Sequence, residues 1–176
     1  MKKTLLAMLF LAASLSALEI QHTTVKFTAF KTYAKIGVSG VFNKVAVKST
    51  KANNVKSLLS NAVATIDTSS VNSGNKGRDI KLVSKFFDVQ NVKNIKATLS
   101  NVQDKSLTAT ISMNGKTLAI PMSYTVKGNV VKAKGTIDLA DFSMIPSLKS
   151  LNKACYVLHK GKTWQDVVIY FSIEYK

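Results

Sequence analysis

The sequence predicts a mainly β protein: an antiparallel, eight-stranded β-barrel with one short helix over about residues 78–87 and a second helical segment over about 144–156. Three observations point there. Apolar and polar residues alternate in segment after segment, the period of a strand with one buried face. Turn signals recur at roughly 8–12 residues, the spacing of sandwiches and barrels. The second face of each segment is rich in Lys, Thr and Ser. A sheet with one apolar face must cover it; curling closed does so and removes the exposed edges.

The elements follow in order. Residues 25–29 alternate, and so do 38–48 around Gly40, with Val41, Val45 and Val47 on one side. Residues 63–67 make a third strand, 95–99 a fourth and 107–113 a fifth. Asn114-Gly115 then gives the strongest short hairpin signal. Residues 118–126 place Leu118, Ile120, Met122, Tyr124 and Val126 on one face. Lys127-Gly128-Asn129 turns again, and residues 131–139 and 167–175 complete the set. Two segments break the alternation. Ile80, Val83 and Phe87 have helical spacing, with Asn75 or Gly77 as cap. Residues 142–158 are interrupted by Pro146 and hold a short helix with Leu148, Leu151 and Cys155 on one side.

The chain opens like an address. Lys2 and Lys3 precede an apolar run over 5–13, too short to span a bilayer comfortably, and small residues follow. Residues 1–17 read as a signal peptide ending at Ala17, and 18–176 as a single domain in the periplasm or outside the cell. No cysteine sits at the junction, which argues against a lipoprotein anchor. An uncleaved N-terminal anchor is the alternative.

Without Lys2 and Lys3 the chain carries 23 basic against 9 acidic residues, a net charge near +14. Such a charge favours an acidic partner, a membrane surface among them. The lysines are scattered singly, however, and Arg78 is the one arginine. Readers of nucleic acid favour arginine and interleaved aromatics, so nucleic acid is not an expected partner. Cys155, the single cysteine, reads as a buried unpaired thiol.

Residues 66–79, IDTSSVNSGNKGRD, are the most polar stretch between apolar segments. A phosphate loop needs glycines leading into Lys-Ser/Thr, and here Gly74 and Gly77 lead into Arg78-Asp79. A calcium loop needs alternate carboxylates and a closing glutamate, which are missing. The stretch therefore reads as a strand-to-helix corner, with Asp67 and Asp79 taking the Arg78 guanidinium and free backbone N–H groups. His159 follows Cys155 by one helical turn, but zinc needs three or four ligands, and packing is the simpler reading. No metal, cofactor or catalytic residue is expected.

What remains is apolar: Phe27, Phe42, Ile66, Phe87, Leu99, Ile111, Met113, Ile120, Met122, Tyr124, Phe142 and Trp164. An ordinary packed core would use such a set. A barrel of this size is either filled by side chains or holds one small ligand. Ala29, Ala97, Ala109, Ala133 and Gly135 fall among the large residues and could leave a slot. Met113, Met122 and Met144 could adapt to a flexible chain.

Four stretches in order resemble the YceI-like family of bacterial periplasmic or secreted proteins. They are His22-Thr-Thr-Val25-Lys-Phe27, Gly40-Val-Phe42, residues 66–79 followed by KLVSKFFD at 81–88, and GTIDLADF at 135–142. The resemblance implies an extended lipocalin-like antiparallel barrel around an elongated hydrophobic tunnel. It also implies a polyisoprenoid or another long-chain amphiphile as ligand (an isoprenoid quinone, fatty acid or fatty amide), and a homodimer. It places Phe86 and Phe87 near the cavity. Lys31 stands where the family often has a second histidine, and the tail over 150–167 is not in its commonest members. The function expected is non-enzymatic binding, carriage or storage of such a lipid. The alternatives are a basic extracytoplasmic interaction or adhesion module with a packed barrel, and an enzyme using His22 or His159.

Overall fold

The computed structural model describes residues 17–60 and 62–176; the expected signal segment lies outside them except for Ala17. Ten strands form one antiparallel sheet. They are β1 (Ile20–Lys31), β2 (Ile36–Phe42), β3 (Val45–Lys48), β4 (Val63–Asp67), β5 (Val71–Asn72), β6 (Asn94–Ser100), β7 (Ser106–Met113), β8 (Lys116–Lys127), β9 (Val130–Asp138) and β10 (Thr163–Tyr175). Their order across the sheet is β3-β4-β6-β7-β8-β9-β10-β1-β2-β5. Alternation sets the faces: Leu107, Ala109, Ile111 and Met113 of β7 are buried, as are Ile120, Met122 and Tyr124 of β8. The β7–β8 turn is the expected Asn114-Gly115, with φ of 51° and 71°.

The mainly β, lipocalin-like fold is as the sequence predicts, but with ten strands instead of eight. The expected strand over 38–48 is two strands, β2 and β3, that lie near and at opposite edges of the sheet. The corner between them is Asn43-Lys44, and it carries the chain across the seam where the curled sheet meets itself. Residues 66–79 cross the same seam from β4 to β5. The two crossings are tied together: Asn43 N–H donates to Ser70 O (3.0 Å), Lys44 N–H to Ser70 Oγ (3.0 Å) and Asp67 N–H to Lys44 O (3.0 Å). At the other end of the seam Leu18 N–H donates to Ala52 O (2.7 Å) and Ala52 N–H to Leu18 O (3.0 Å). Of β1, only Lys26–Lys31 pairs with β2, and between the two ties a polar cleft runs between residues 19–24 and 45–49.

Three helices close the ends. α1 (Val55–Ser60) was not expected. Asn54 caps it through Ser57 N–H (2.9 Å), and Leu58 and Leu59 are fully buried. α2 (Lys76–Leu82) starts at Asn75, whose side chain accepts from Arg78 N–H. It runs into one π turn over Val83–Phe87 and stops at Asn91 in the left-handed region. The wider π turn buries the adjacent Phe86 and Phe87 together. α3 (Ile145–Ala154) has Pro146 in its first turn. Gln90 holds its start by accepting from Ser147 Oγ (2.9 Å) and donating to Ser143 O (2.9 Å). Among the described residues no helix is long and apolar enough to cross a membrane.

Candidate functional site: an apolar tunnel with a cationic mouth

The inner face of β1 threads the site. Thr23, Val25 and Phe27 line one cavity of about 120 Å³, Phe27 and Ala29 a second of about 110 Å³, and Phe27, Ala29 and Lys31 a third of about 310 Å³. Each shares walls with the next, so they lie in a row along the strand. From Thr23 to Lys31 a strand covers roughly 26 Å. The two inner cavities are walled almost wholly by carbon. At the deep end Thr23 Oγ1 is buried with no hydrogen-bond partner.

Phe27 is the wall that all three cavities share. Its ring meets Phe42 at 5.7 Å between centroids, Phe42 meets Phe87 at 6.1 Å, and Phe87 meets Phe86 at 5.0 Å, an aromatic chain across the middle of the tunnel. Gly40 gives the Phe27 ring its seat: a Cβ there would lie 2.7 Å from Phe27 Cζ.

The predicted residues fall into two groups. Phe27, Phe42, Ile66, Leu99, Ile111, Met113, Met122 and Trp164 line the inner cavities from the sheet, and Phe86 and Phe87 from the helical side. Ile120, Tyr124 and Phe142 are buried but do not line the tunnel. Tyr124 turns its hydroxyl to Gln103 O (2.5 Å), and Phe142 lies with Met144 in the fully buried core. Of the small residues, Ala29, Ala97 and Ala109 line the cavities. Gly135 instead makes room for packing, since a Cβ there would meet Met122 Cγ at 2.9 Å. The pattern of alternation missed Leu82 and Leu151, which α2 and α3 bring over the open side.

The outer cavity is the mouth. Lys31 from β1, Arg78 and Lys81 from α2, and His159 stand around Leu151, Cys155 and Leu158; no acidic side chain lines it. Cys155 is buried and unpaired. His159 Nδ1 lies 2.7 Å from Thr163 Oγ1, and Thr163 donates its own proton to Asn152 Oδ1 (2.7 Å). That leaves Nδ1 as the donor and Nε2 as a free acceptor. Burial, then the charges of Lys31 and Lys81, push the His159 pKa below its usual range, so the ring is neutral at pH 7.

The corner at 66–79 is structural. Asp67 accepts from Ser69 N–H (2.9 Å), and Asp79 from Ser73 N–H (2.9 Å) and from the Ser73 hydroxyl. The expected capture of Arg78 by these carboxylates does not occur. Its guanidinium donates to Ser73 Oγ and Ser73 O, each at 2.7 Å, because Ser73 stands between it and Asp79. Among the described residues no three His, Cys, Asp or Glu side chains are grouped to hold a metal. His22 is exposed on β1, on the seam cleft, while His159 is at the mouth.

A curled antiparallel sheet wrapped on an apolar run, with helices over its open side, defines a lipocalin-like barrel. The chain belongs to the YceI family, whose domain model, described as a YceI-like domain, matches residues 17–175. Solved structures agree on the fold. A polyisoprenoid binding domain from Saccharophagus degradans, implicated in plant cell wall breakdown, is 14% identical with a TM-score of 0.64, covering 91% of this chain and 97% of that one. BcnA of Burkholderia cenocepacia is 16% identical with a TM-score of 0.58, covering 88% and 96%. A mutant YCEI protein of Campylobacter jejuni is 16% identical with a TM-score of 0.52, covering 96% and 94%. No curated protein matches the chain.

Proposed function

We propose that this protein binds a long-chain amphiphilic lipid in the tunnel and carries or stores it outside the cytoplasm, without chemistry. The observation that carries the reading is the row of three adjoining cavities along β1, apolar at depth and cationic at the mouth. The tail would lie past Phe27 toward Thr23. The polar head would sit among Lys31, Arg78, Lys81 and His159. The polyisoprenoid-binding relative supports a lipid of that kind. Each buried methylene supplies about 0.8 kcal/mol, so about ten supply roughly 8 kcal/mol before ordering costs. Roughly 8 kcal/mol corresponds to a micromolar Kd before those costs, so a cargo retained through purification needs more buried chain than ten methylenes, or contacts of its head at the mouth.

Mass spectrometry of the purified protein, native and after solvent extraction, tests this. A stoichiometric long-chain species is expected. An empty protein that also takes up no added isoprenoid, fatty acid or fatty amide would overturn the reading.

A further inference from the structure

The mouth of the tunnel carries the four most exposed large apolar side chains of the described residues: Val157 is 86% exposed, Tyr33 77%, Leu158 64% and Tyr156 62%. Ile36 is 52% exposed, a little less than Ile80 of α2 at 58%. The five at the tip come from the β1–β2 turn, which ends at Ile36, the first residue of β2, and from the segment after α3. The loops are fastened side by side: Thr32 N–H donates to Lys162 O (2.8 Å), and Trp164 Nε1–H to Thr32 O (2.8 Å). The segment after α3 is itself tightly turned. His159 N–H returns to Cys155 O (2.8 Å) and Gly161 N–H to Tyr156 O (2.9 Å), with Lys160 and Gly161 at φ of 50° and 78°. The apolar tip is thus held outward by a built knuckle, in contact with water, next to the opening that Leu158 and His159 line.

Cations surround this tip. Lys153, Lys160 and Lys162 take part in no ion pair among the described residues, and Lys35 faces Asp166 at 2.7 Å. Lys35 and Lys162 each lie over the Trp164 ring, at 4.9 and 4.6 Å from its centroid. Two such faces brought together would oppose lysine to lysine, so a second copy is a poor occupant. An apolar tip with tyrosines, inside a lysine collar, matches the surface of an anionic bilayer. The tip enters the headgroup boundary, tyrosine suits the interface, and the lysines meet acidic headgroups.

We propose that Tyr33, Ile36, Tyr156, Val157 and Leu158, collared by Lys35, Lys153, Lys160 and Lys162, dock the tunnel mouth onto an anionic lipid membrane. Docking stands on this surface alone. Its use, passing an amphiphile between bilayer and tunnel without crossing water, rests on the lipid-binding reading above.

The test is flotation of the protein with vesicles of phosphatidylcholine containing phosphatidylglycerol, against phosphatidylcholine alone. The native chain should float with the anionic vesicles and be released by high salt. The double variant Tyr33→Asp/Val157→Asp, neither residue lining the tunnel, should lose roughly tenfold of that binding. Val126→Asp, an equally apolar exposed site elsewhere, should not. Cargo content of both variants is read by mass spectrometry, so failure to dock and failure to bind lipid are seen separately. Three results would overturn the proposal: no flotation of the native chain, an equal loss in Val126→Asp, or a dimer that Tyr33→Asp/Val157→Asp converts to monomer.

Discussion

At the scale of single residues the site is set by where bulk is missing. Gly40 and Gly135 both lie in strands, yet neither widens the tunnel. Each lacks a Cβ because a large neighbour occupies that space: Phe27 at Gly40, Met122 at Gly135. Gly40→Ala should therefore push the Phe27 ring toward the cavity. It should cost about 1–3 kcal/mol by overpacking and lower cargo retention as well. Chemical denaturation and extraction mass spectrometry read the two effects. His159 makes a pH prediction. Its pKa is depressed in the folded empty protein, so the unfolded chain binds more protons as pH falls through about 6.5. Stability of the empty protein should fall as pH drops through that value, and His159→Gln should flatten the fall. If the cargo's head is an anion, it favours the imidazolium and reverses the slope, so affinity rises as pH falls. Cargo affinity measured at pH 5.5 and 7.5 checks this. The binary pattern named the inward faces but not which inward residues meet empty space. Ile120, Tyr124 and Phe142 have the right period and are buried, but the space beside them is filled.

At the scale of elements, legibility followed the regularity of the alternation. β6 to β10 repeat it for long stretches, and the turns joining β7 to β8 and β8 to β9 carry Asn-Gly and Gly-Asn, so those two registers follow from the sequence. The β2–β3 corner was hidden because neither glycine nor proline stands at the bend and the valines resume on the same face after it; the signal it does leave is polar Asn43 between Val41 and Val45 on that face. β5 has two residues, too short for any period to show. α1, with six residues, is also too short to show a period, though Asn54 ahead of Val55, Leu58 and Leu59 was a usable start signal. The polar corner at 66–79 earns its composition as the seam's clasp. Thr68 is buried and gives its hydroxyl to Val92 O (2.6 Å) and Lys93 O (3.0 Å). Thr68→Val keeps the shape but strands Val92 O, while Lys93 O keeps the Thr68 N–H (3.1 Å), and should cost about 1–3 kcal/mol. The urea midpoint should fall with the slope unchanged. Thr68→Ser, which keeps the hydroxyl, should recover most of it.

At the scale of the whole molecule the barrel acts as a ruler. Its sheet is tied across the seam only at the two ends, by the Asn43-Lys44 corner and by the Leu18–Ala52 bridge, so between them the tunnel is shaped by side chains and helices and not by a closed ring of hydrogen bonds. Ala29 lies where the middle and outer cavities join. Ala29→Trp should plug that joint and sharply reduce retained cargo. The fold should survive, as near-native circular dichroism and a cooperative melt would show. A plug at the joint also separates two kinds of binding, because a ligand held only by its head at the mouth would still bind. Length gives the sharper measurement. The run from Thr23 to Lys31 is roughly 26 Å, close to the ~30 Å hydrocarbon thickness of a whole bilayer. A chain of ordinary acyl length would leave the deep end near Thr23 empty, and a longer one would reach it. Affinity should then rise with chain length by about 0.8 kcal/mol per methylene and level off once the tail reaches the end wall. In Ala29→Trp the rise should stop much earlier. A flat response in the native protein would mean that only the mouth binds, and that the apolar run behind Phe27 is core.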